Sequence, residues 1–304
     1  MKERTKFKKL LLPKNLNLTE KNASYSIKEF VRQININNPK LKRIEAILHG
    51  NFQSMQAGSG LDFNEIREYK MGDDLRRISW NATAKTNSLQ TKEYFGEKEI
   101  RSYFLVDISN SMFCGNKPEC LIQLFVFLLN LSIGFSEKVG GVFFTSEIKF
   151  HFPPREATSQ ANIIFQTYLN FFNNLKDKLS TATTITNISG ALDFTKRYFP
   201  KKGIVFLISD FINFTNWEKQ MFETSHFQSI YSFQISDLLD IKLPKSGYVT
   251  IIDPETNEKC TVNTDSKIVQ ETYINTMNQN QTKLVAFLSS LGVNHIVIEK
   301  SDFA

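Results

Sequence analysis

Five short apolar runs, spread over the last two thirds of the chain, constrain the fold more than any other feature. They are residues 103–108 (YFLVDI), 141–145 (GVFFT), 204–208 (IVFLI), 230–235 (IYSFQI) and 295–298 (HIVI). Runs that are apolar on both faces suit central strands of a parallel sheet, where helices cover each side. Segments with helical spacing lie between them, at residues 118–137, 160–179, 188–198, 215–224 and 267–291. Pro118 suits a first helical turn, and Gly292 stands where a C-cap glycine belongs. The first of these helices (LIQLFVFLLNLSIGF) is apolar nearly all round and is expected to be buried. Residues 100–304 are therefore expected to form an α/β domain with a doubly wound, mostly parallel sheet of Rossmann type. Ligands of such sheets bind at the carboxyl ends of the strands. A hairpin at residues 247–262, turning at 253–257 (DPETN), interrupts the alternation.

The front of the chain reads differently. Residues 1–39 form a basic N-terminal extension with one short helix at 24–34, ended by Asn38-Pro39. Residues 40–99 read as a smaller β-rich, turn-rich segment. It has turns at Gly58-Ser59-Gly60 and Gly72-Asp73-Asp74, and a strand at 89–95 before Gly96. Residues 1–100 carry 19 Lys and Arg against 12 Asp and Glu, so the positive charge of the chain sits at its front. Five of those charges lie in the first nine residues, as in a solvated tail, and no nucleic-acid motif accompanies them. With 41% hydrophobic and 22% charged residues the chain is globular and not disordered. Three scattered cysteines, Cys114, Cys120 and Cys260, make neither a disulfide framework nor a zinc site. The apolar run 121–135 is short of the roughly 20 residues that span a bilayer, and no signal peptide is evident. No transmembrane segment is expected, peripheral membrane association stays open, and a cytoplasmic location is expected.

The chemistry concentrates where the first apolar run ends. Asp107, Ser109 and Ser111 leave the carboxyl end of a buried strand at spacing i, i+2, i+4 and enter a loop. Thr186 stands in the loop that opens a helix, and Asp210 ends the run 204–209. The alternation of strands and helices predicts that all five meet at one sheet edge. Hard oxygen donors with little negative charge suit Mg²⁺ or Mn²⁺ and not zinc. An ordinary Asp and Ser loop cap is the structural alternative.

The set D-x-S-x-S, then Thr, then Asp, resembles the metal-ion-dependent adhesion site of von Willebrand factor A domains. That resemblance implies that Asp107, Ser109 and Ser111 hold the metal. It also implies that Thr186 coordinates directly or through water, and that Asp210 acts through water. The segment 58–99 (GSGLDFNEIREYKMGDDLRRISWNATAKTNSLQTKEYFGEKE) sharpens this, because it resembles the signature of domain of unknown function 58 proteins. The residues that carry it are Gly58, Gly60, Phe63, Arg67, Tyr69, Gly72, Asp73, Asp74, Arg76, Trp80, Ala84 and Leu89. The segment 237–244 (DLLDIKLP) and the hairpin resemble that family's carboxyl end. The family joins such a segment to a von Willebrand factor A-like domain and is often encoded beside MoxR-type AAA+ ATPases. Arg67, Arg76 and Arg77 beside Glu68, Asp73 and Asp74 suggest an ion-pair network, with Trp80 as an anchor in a small core. The alternative is a partner-binding face.

The resemblance implies a metal-dependent protein-binding module, an adaptor or co-chaperone of a MoxR-type AAA+ ATPase or its client, in protein maturation or stress tolerance. It implies no enzyme. The alternative is a Mg²⁺-dependent phosphohydrolase with Asp107 as nucleophile. Such an enzyme wants a second Asp two residues on, where this chain has Ser109. His49, His151, His226 and His295 show no ligand spacing.

Overall fold

The computed structural model describes residues 27–32, 38–57, 63–86, 88–94, 99–176, 186–199, 202–212, 216–253, 255–256 and 258–303. The expected basic tail, the start of the 24–34 helix, the turn at 58–60 and the break at Gly96 lie outside them. In chain order the elements begin with α1 (Ile27–Val31), α2 (Pro39–Ala57), β1 (Phe63–Glu68), α3 (Trp80–Thr86) and β2 (Gln90–Tyr94). There follow β3 (Arg101–Asp107), α4 (Lys117–Phe135), β4 (Lys138–Phe144), β5 (Ile148–Glu156), α5 (Ala157–Lys176) and α6 (Ile188–Tyr198). The chain ends with β6 (Ile204–Ser209), α7 (Glu218–Ser225), β7 (Ser229–Ile235), α8 (Leu238–Ile241), β8 (Tyr248–Ile252), β9 (Lys259–Asn263), α9 (Lys267–Ser290) and β10 (Asn294–Ile298). Two compact units result: Arg43–Ile100, and Met1–Lys42 with Arg101–Ala304.

The larger unit is a doubly wound α/β domain. Its six-stranded sheet runs β10-β7-β6-β3-β4-β5, parallel except for β5, which pairs antiparallel with β4 at one edge. On one face Tyr103, Leu105, Val142, Val205 and Leu207 pack against Leu192 of α6, Met221 of α7 and Leu288 of α9. On the other, Phe104 meets Phe125 of α4 edge-on at 5.6 Å, and Phe125 meets Tyr168 of α5 at 5.4 Å. The alternation of side chains along each strand thus feeds two cores, one per face. Just past the end of α9, Gly292 at φ +68° lets the Val293 N–H reach back to the Leu288 carbonyl.

Four features differ from expectation. First, Asn38-Pro39 starts a helix instead of only ending one. The Asn38 side chain accepts from the Lys40 N–H at 2.7 Å, and Pro39 opens the 19-residue α2, where a missing N–H costs nothing. The segment expected to be β-rich is therefore mixed, with α2, α3 and one two-stranded ribbon, β1–β2. Second, β5 was not anticipated. It carries Pro153 and Pro154, which a strand tolerates only at an edge or bulge. Third, Trp80 is 69% exposed and anchors no core. Among the expected ion pairs, the Arg67 guanidinium forks onto Asp73 at 2.8 and 2.9 Å and Arg76 meets Asp74. The Arg67 contact holds the Asp73 carboxyl down at about 2. Fourth, α4 has 19 residues, so it is long and apolar enough to cross a membrane by length and composition. It is the one such helix among the described residues, and two thirds of it is buried inside the α/β unit.

Candidate metal centre

Because β3, β4, β6 and β7 are parallel, their carboxyl ends open on one edge of the sheet. Asp107 is the last residue of β3 and is fully buried. One of its carboxylate oxygens accepts the Ser109 N–H at 2.9 Å, and the other accepts the Ser209 hydroxyl at 2.6 Å from the end of β6. The Ser109 and Ser111 hydroxyls lie 3.0 Å apart, both buried, in the tight turn that follows β3. Asp210, 4% exposed, comes next after Ser209. Burial first, then repulsion from Asp210, push the Asp107 carboxyl up to about 7. Two buried carboxyl groups thus stand at the ends of neighbouring strands. Phe211 is held at φ +53° right after them, its ring packed against Trp217 and His295 at 5.9 Å. Left-handed backbone at a non-glycine residue beside a buried acid is a place where folds store strain for function.

A lysine completes the acidic side. Lys117, the first residue of α4, is 2% exposed, and its ammonium touches Asp210 at 2.9 Å and Asp240 at 3.0 Å. Burial pulls its pKa down, but Asp210 and Asp240 outweigh that and leave it raised. The loop before it is tied to the 237–244 segment. The Asp237 carboxylate accepts the Asn116 N–H at 2.7 Å and caps α8 through the Leu239 N–H. Gly115 allows this approach. It sits at φ +59°, and a Cβ there would lie 2.6 Å from an Asp237 oxygen.

Thr186 reaches the same edge by another route. The Asn187 N–H donates to the Thr145 carbonyl, just past the end of β4, while the Asn187 side chain caps α6 through the Gly190 N–H. The Thr186 hydroxyl donates at 2.7 Å to Glu255, at the tip of the β8–β9 hairpin. Burial, and more weakly Asp210 and Asp253, raise the Glu255 carboxyl, while hydrogen bonds from Thr186 oppose the rise. The fold therefore links Asp107, Ser109 and Ser111 by hydrogen bonds and sets the buried Asp210 just past the end of the neighbouring strand, while the Thr186 hydroxyl is taken by Glu255. Sequence reasoning missed Ser209, Lys117, Asp240 and Glu255. Lys117 had left a signal, because a cation at a helix N-terminus opposes the dipole and calls for acidic partners.

Among the described residues no group of three or more His, Cys, Asp or Glu is placed to hold a metal ion. A cation here would instead rest on hydroxyl oxygens and few carboxylates, the donor set of a hard divalent ion. The residues fit such an ion in chemistry, and the buried Thr145 hydroxyl, without a hydrogen-bond partner, lies at the same strand edge. The free thiols offer nothing comparable: burial raises both Cys114 and Cys120, and Cys120 reaches about 12.

The family described as protein of unknown function DUF58 matches residues 65–283. An uncharacterized protein of Mycobacterium tuberculosis is 22% identical over 218 residues, 70% of this chain and 67% of its own. Among solved structures, an aerotolerance-related membrane protein from Bacteroides fragilis is similar at a TM-score of 0.41 and 15% identity, covering 67% of this chain and 93% of that one. Proximal thread matrix protein 1 of the mussel byssus, solved with a zinc-occupied MIDAS motif, is similar at a TM-score of 0.32 and 13% identity, over 46% of this chain and 38% of its own. The family match spans well over half of the residues, through the β1–β2 ribbon and most of the α/β unit, and the chain belongs to the DUF58 family.

Proposed function

We propose that the carboxyl edge of the sheet binds a divalent cation, Mg²⁺ or Mn²⁺, and that through it the protein acts as a metal-dependent protein-binding module. Asp107, Ser109 and Ser111 would hold the ion, with Thr186 coordinating directly or through water and Asp210 acting through water. Bound there, the ion would supply a Lewis-acidic point for a partner's carboxylate. The observation that carries the reading is the buried cluster of hard oxygens at the ends of β3 and β6. It combines Asp107, Ser109 and Ser111 with an Asp210 whose one oxygen is already taken by Lys117. An Asp so engaged suits an outer, water-mediated role.

A binding role is favoured over phosphohydrolysis by the same geometry. The position two residues after Asp107, where a general acid would stand, is Ser109, bonded to Ser111. The finer reading is an adaptor or co-chaperone of a MoxR-type AAA+ ATPase in the cytoplasm, and it rests on the family resemblance. The test is a Mn²⁺ titration of the full chain. Saturable binding that Asp107→Ala abolishes while circular dichroism is unchanged supports the site, and equal binding by the variant refutes it. Pull-down of an AAA+ ATPase that EDTA prevents would support the partner, and capture that survives EDTA would refute metal-mediated docking.

A further inference from the structure

The peptide bond that follows Asp210 is gripped at both of its polar atoms. Its N–H, that of Phe211, donates to the Ser209 hydroxyl at 3.3 Å, and the same hydroxyl donates to Asp107 at 2.6 Å. Its carbonyl, that of Asp210, accepts from the Gln234 side chain at 3.2 Å. Gln234 pairs with Ser209 in the β6–β7 register, so its side chain reaches one residue further along the neighbouring strand. The peptide leads into left-handed backbone at Phe211, φ +53°, and the two bonds oppose the rotation that would relieve it.

The orientation of the Gln234 amide follows from its partners. A carbonyl only accepts, so the NH₂ of Gln234 points at Asp210 and its oxygen points away. That oxygen accepts from Gln281 of α9 at 2.9 Å and lies 3.2 Å from Nε2 of His295 in β10. Nε2 therefore carries the ring proton, and Nδ1 accepts from the Ser232 hydroxyl at 2.8 Å. One side chain of β7 thus joins α9 and β10 to the turn that carries Asp210.

We propose that Gln234 is a positioning residue of the metal centre, which fixes the 210–211 peptide and through it the direction in which Asp210 presents its carboxylate to the ion's water. The inference rests on the metal-binding reading above and adds to it the residue that aims the outer acid. An acid acting through water must meet a water whose place the ion has already set, so its direction counts. The competing explanation is that Lys117, 2.9 Å from Asp210, aims it alone and that Gln234 only ties β7 to α9 and β10.

Gln234→Met separates the two, because methionine keeps the length of the side chain and loses the donor. The experiment titrates the full chain with Mn²⁺ alone, comparing the wild type, Gln234→Met, Asp210→Asn and the double variant, with Asp107→Ala as the non-binding control. Thermal unfolding in EDTA is followed for each. A positioning role predicts that Gln234→Met weakens Mn²⁺ binding by about tenfold. It also predicts that the double variant binds no more weakly than Asp210→Asn alone, since Gln234 then has no carboxylate to aim. A melting temperature that falls while the affinity holds overturns the proposal and leaves the metal centre standing. So does a loss of affinity that is the same with and without the Asp210 carboxylate. Should Gln234→Met fail to fold, Gln281→Met takes its place in the same cycle, with a smaller loss expected and the same results overturning the role. Nitrogen NMR of the His295 ring tests the Gln234 orientation independently of any metal, and a proton on Nδ1 instead of Nε2 overturns it. Absence of saturable binding by the wild type overturns the centre and the role of Gln234 together.

Discussion

Lys117→Met is the sharpest probe of how the acidic edge is balanced. Methionine keeps much of the length of the side chain and removes its charge. The ammonium sits 2.9 Å from Asp210 and 3.0 Å from Asp240, and its side chain is 2% exposed. Without it Asp240, at 27% exposure, can turn to water, but Asp210, at 4%, cannot. Breaking a buried ion pair on one side costs about 3–5 kcal/mol, because the remaining charge stays uncompensated. At about 2–4 °C per kcal/mol for a domain of this size, the melting temperature should fall by roughly 6–20 °C at neutral pH in EDTA. The deficit should shrink on adding Mn²⁺, since a divalent ion would meet a more negative site. Scanning fluorimetry and guanidinium denaturation with and without the metal measure both effects. A loss below about 1 kcal/mol at neutral pH would show that Lys117 is not the counter-charge of Asp210 and would refute the electrostatic reasoning.

Gly115→Ala should cost about 2–3 kcal/mol in denaturant unfolding, from left-handed backbone and from displacing an Asp237 carboxylate that caps α8 and holds Asn116. A change under about 0.5 kcal/mol would mean that the Asp237 contact yields freely. His295 is pushed down to about 4 by burial, with its ring nitrogens on Ser232 and Gln234. The folded-state pKa lies below the ordinary 6.5, so the contribution of His295 is present above pH 6.5 and is lost as the pH falls toward 4. His295→Gln should therefore flatten the acid limb of stability between those values, and an unchanged limb counts against the assignment.

Much of the α/β unit was legible because its central strands are buried on both faces, which leaves unbroken apolar runs such as IVFLI in β6. Strand β5 was not, since its burial is partial and two prolines break the pattern. Asn38-Pro39 is ambiguous in principle: Asn caps a helix start and Pro suits a first turn, yet both also follow helix ends. At the candidate site the linear motif from Asp107 to Ser111 could be read, and so could the acid that ends β6. Lys117, Asp240 and Glu255 act through pairings across 69 to 123 residues, and no local pattern carries those pairings.

The order of the strands also bears on how the chain can be made. Strand β3 is the first of the sheet to leave the ribosome, yet it ends up with β4 on one side and β6 on the other. The β4 side can close at once, whereas the β6 side waits for about a hundred further residues to be synthesised. Until then a mostly apolar strand presents an open row of amides and carbonyls, the arrangement that templates aggregation. The half-sheet β3-β4-β5 is shielded on its outer edge by Pro153 and Pro154 and bare on the inner one. Such a nascent chain would depend on rapid elongation or a holding factor over that interval, and ribosome-stalled lengths ending between β5 and β6 should be its most aggregation-prone forms.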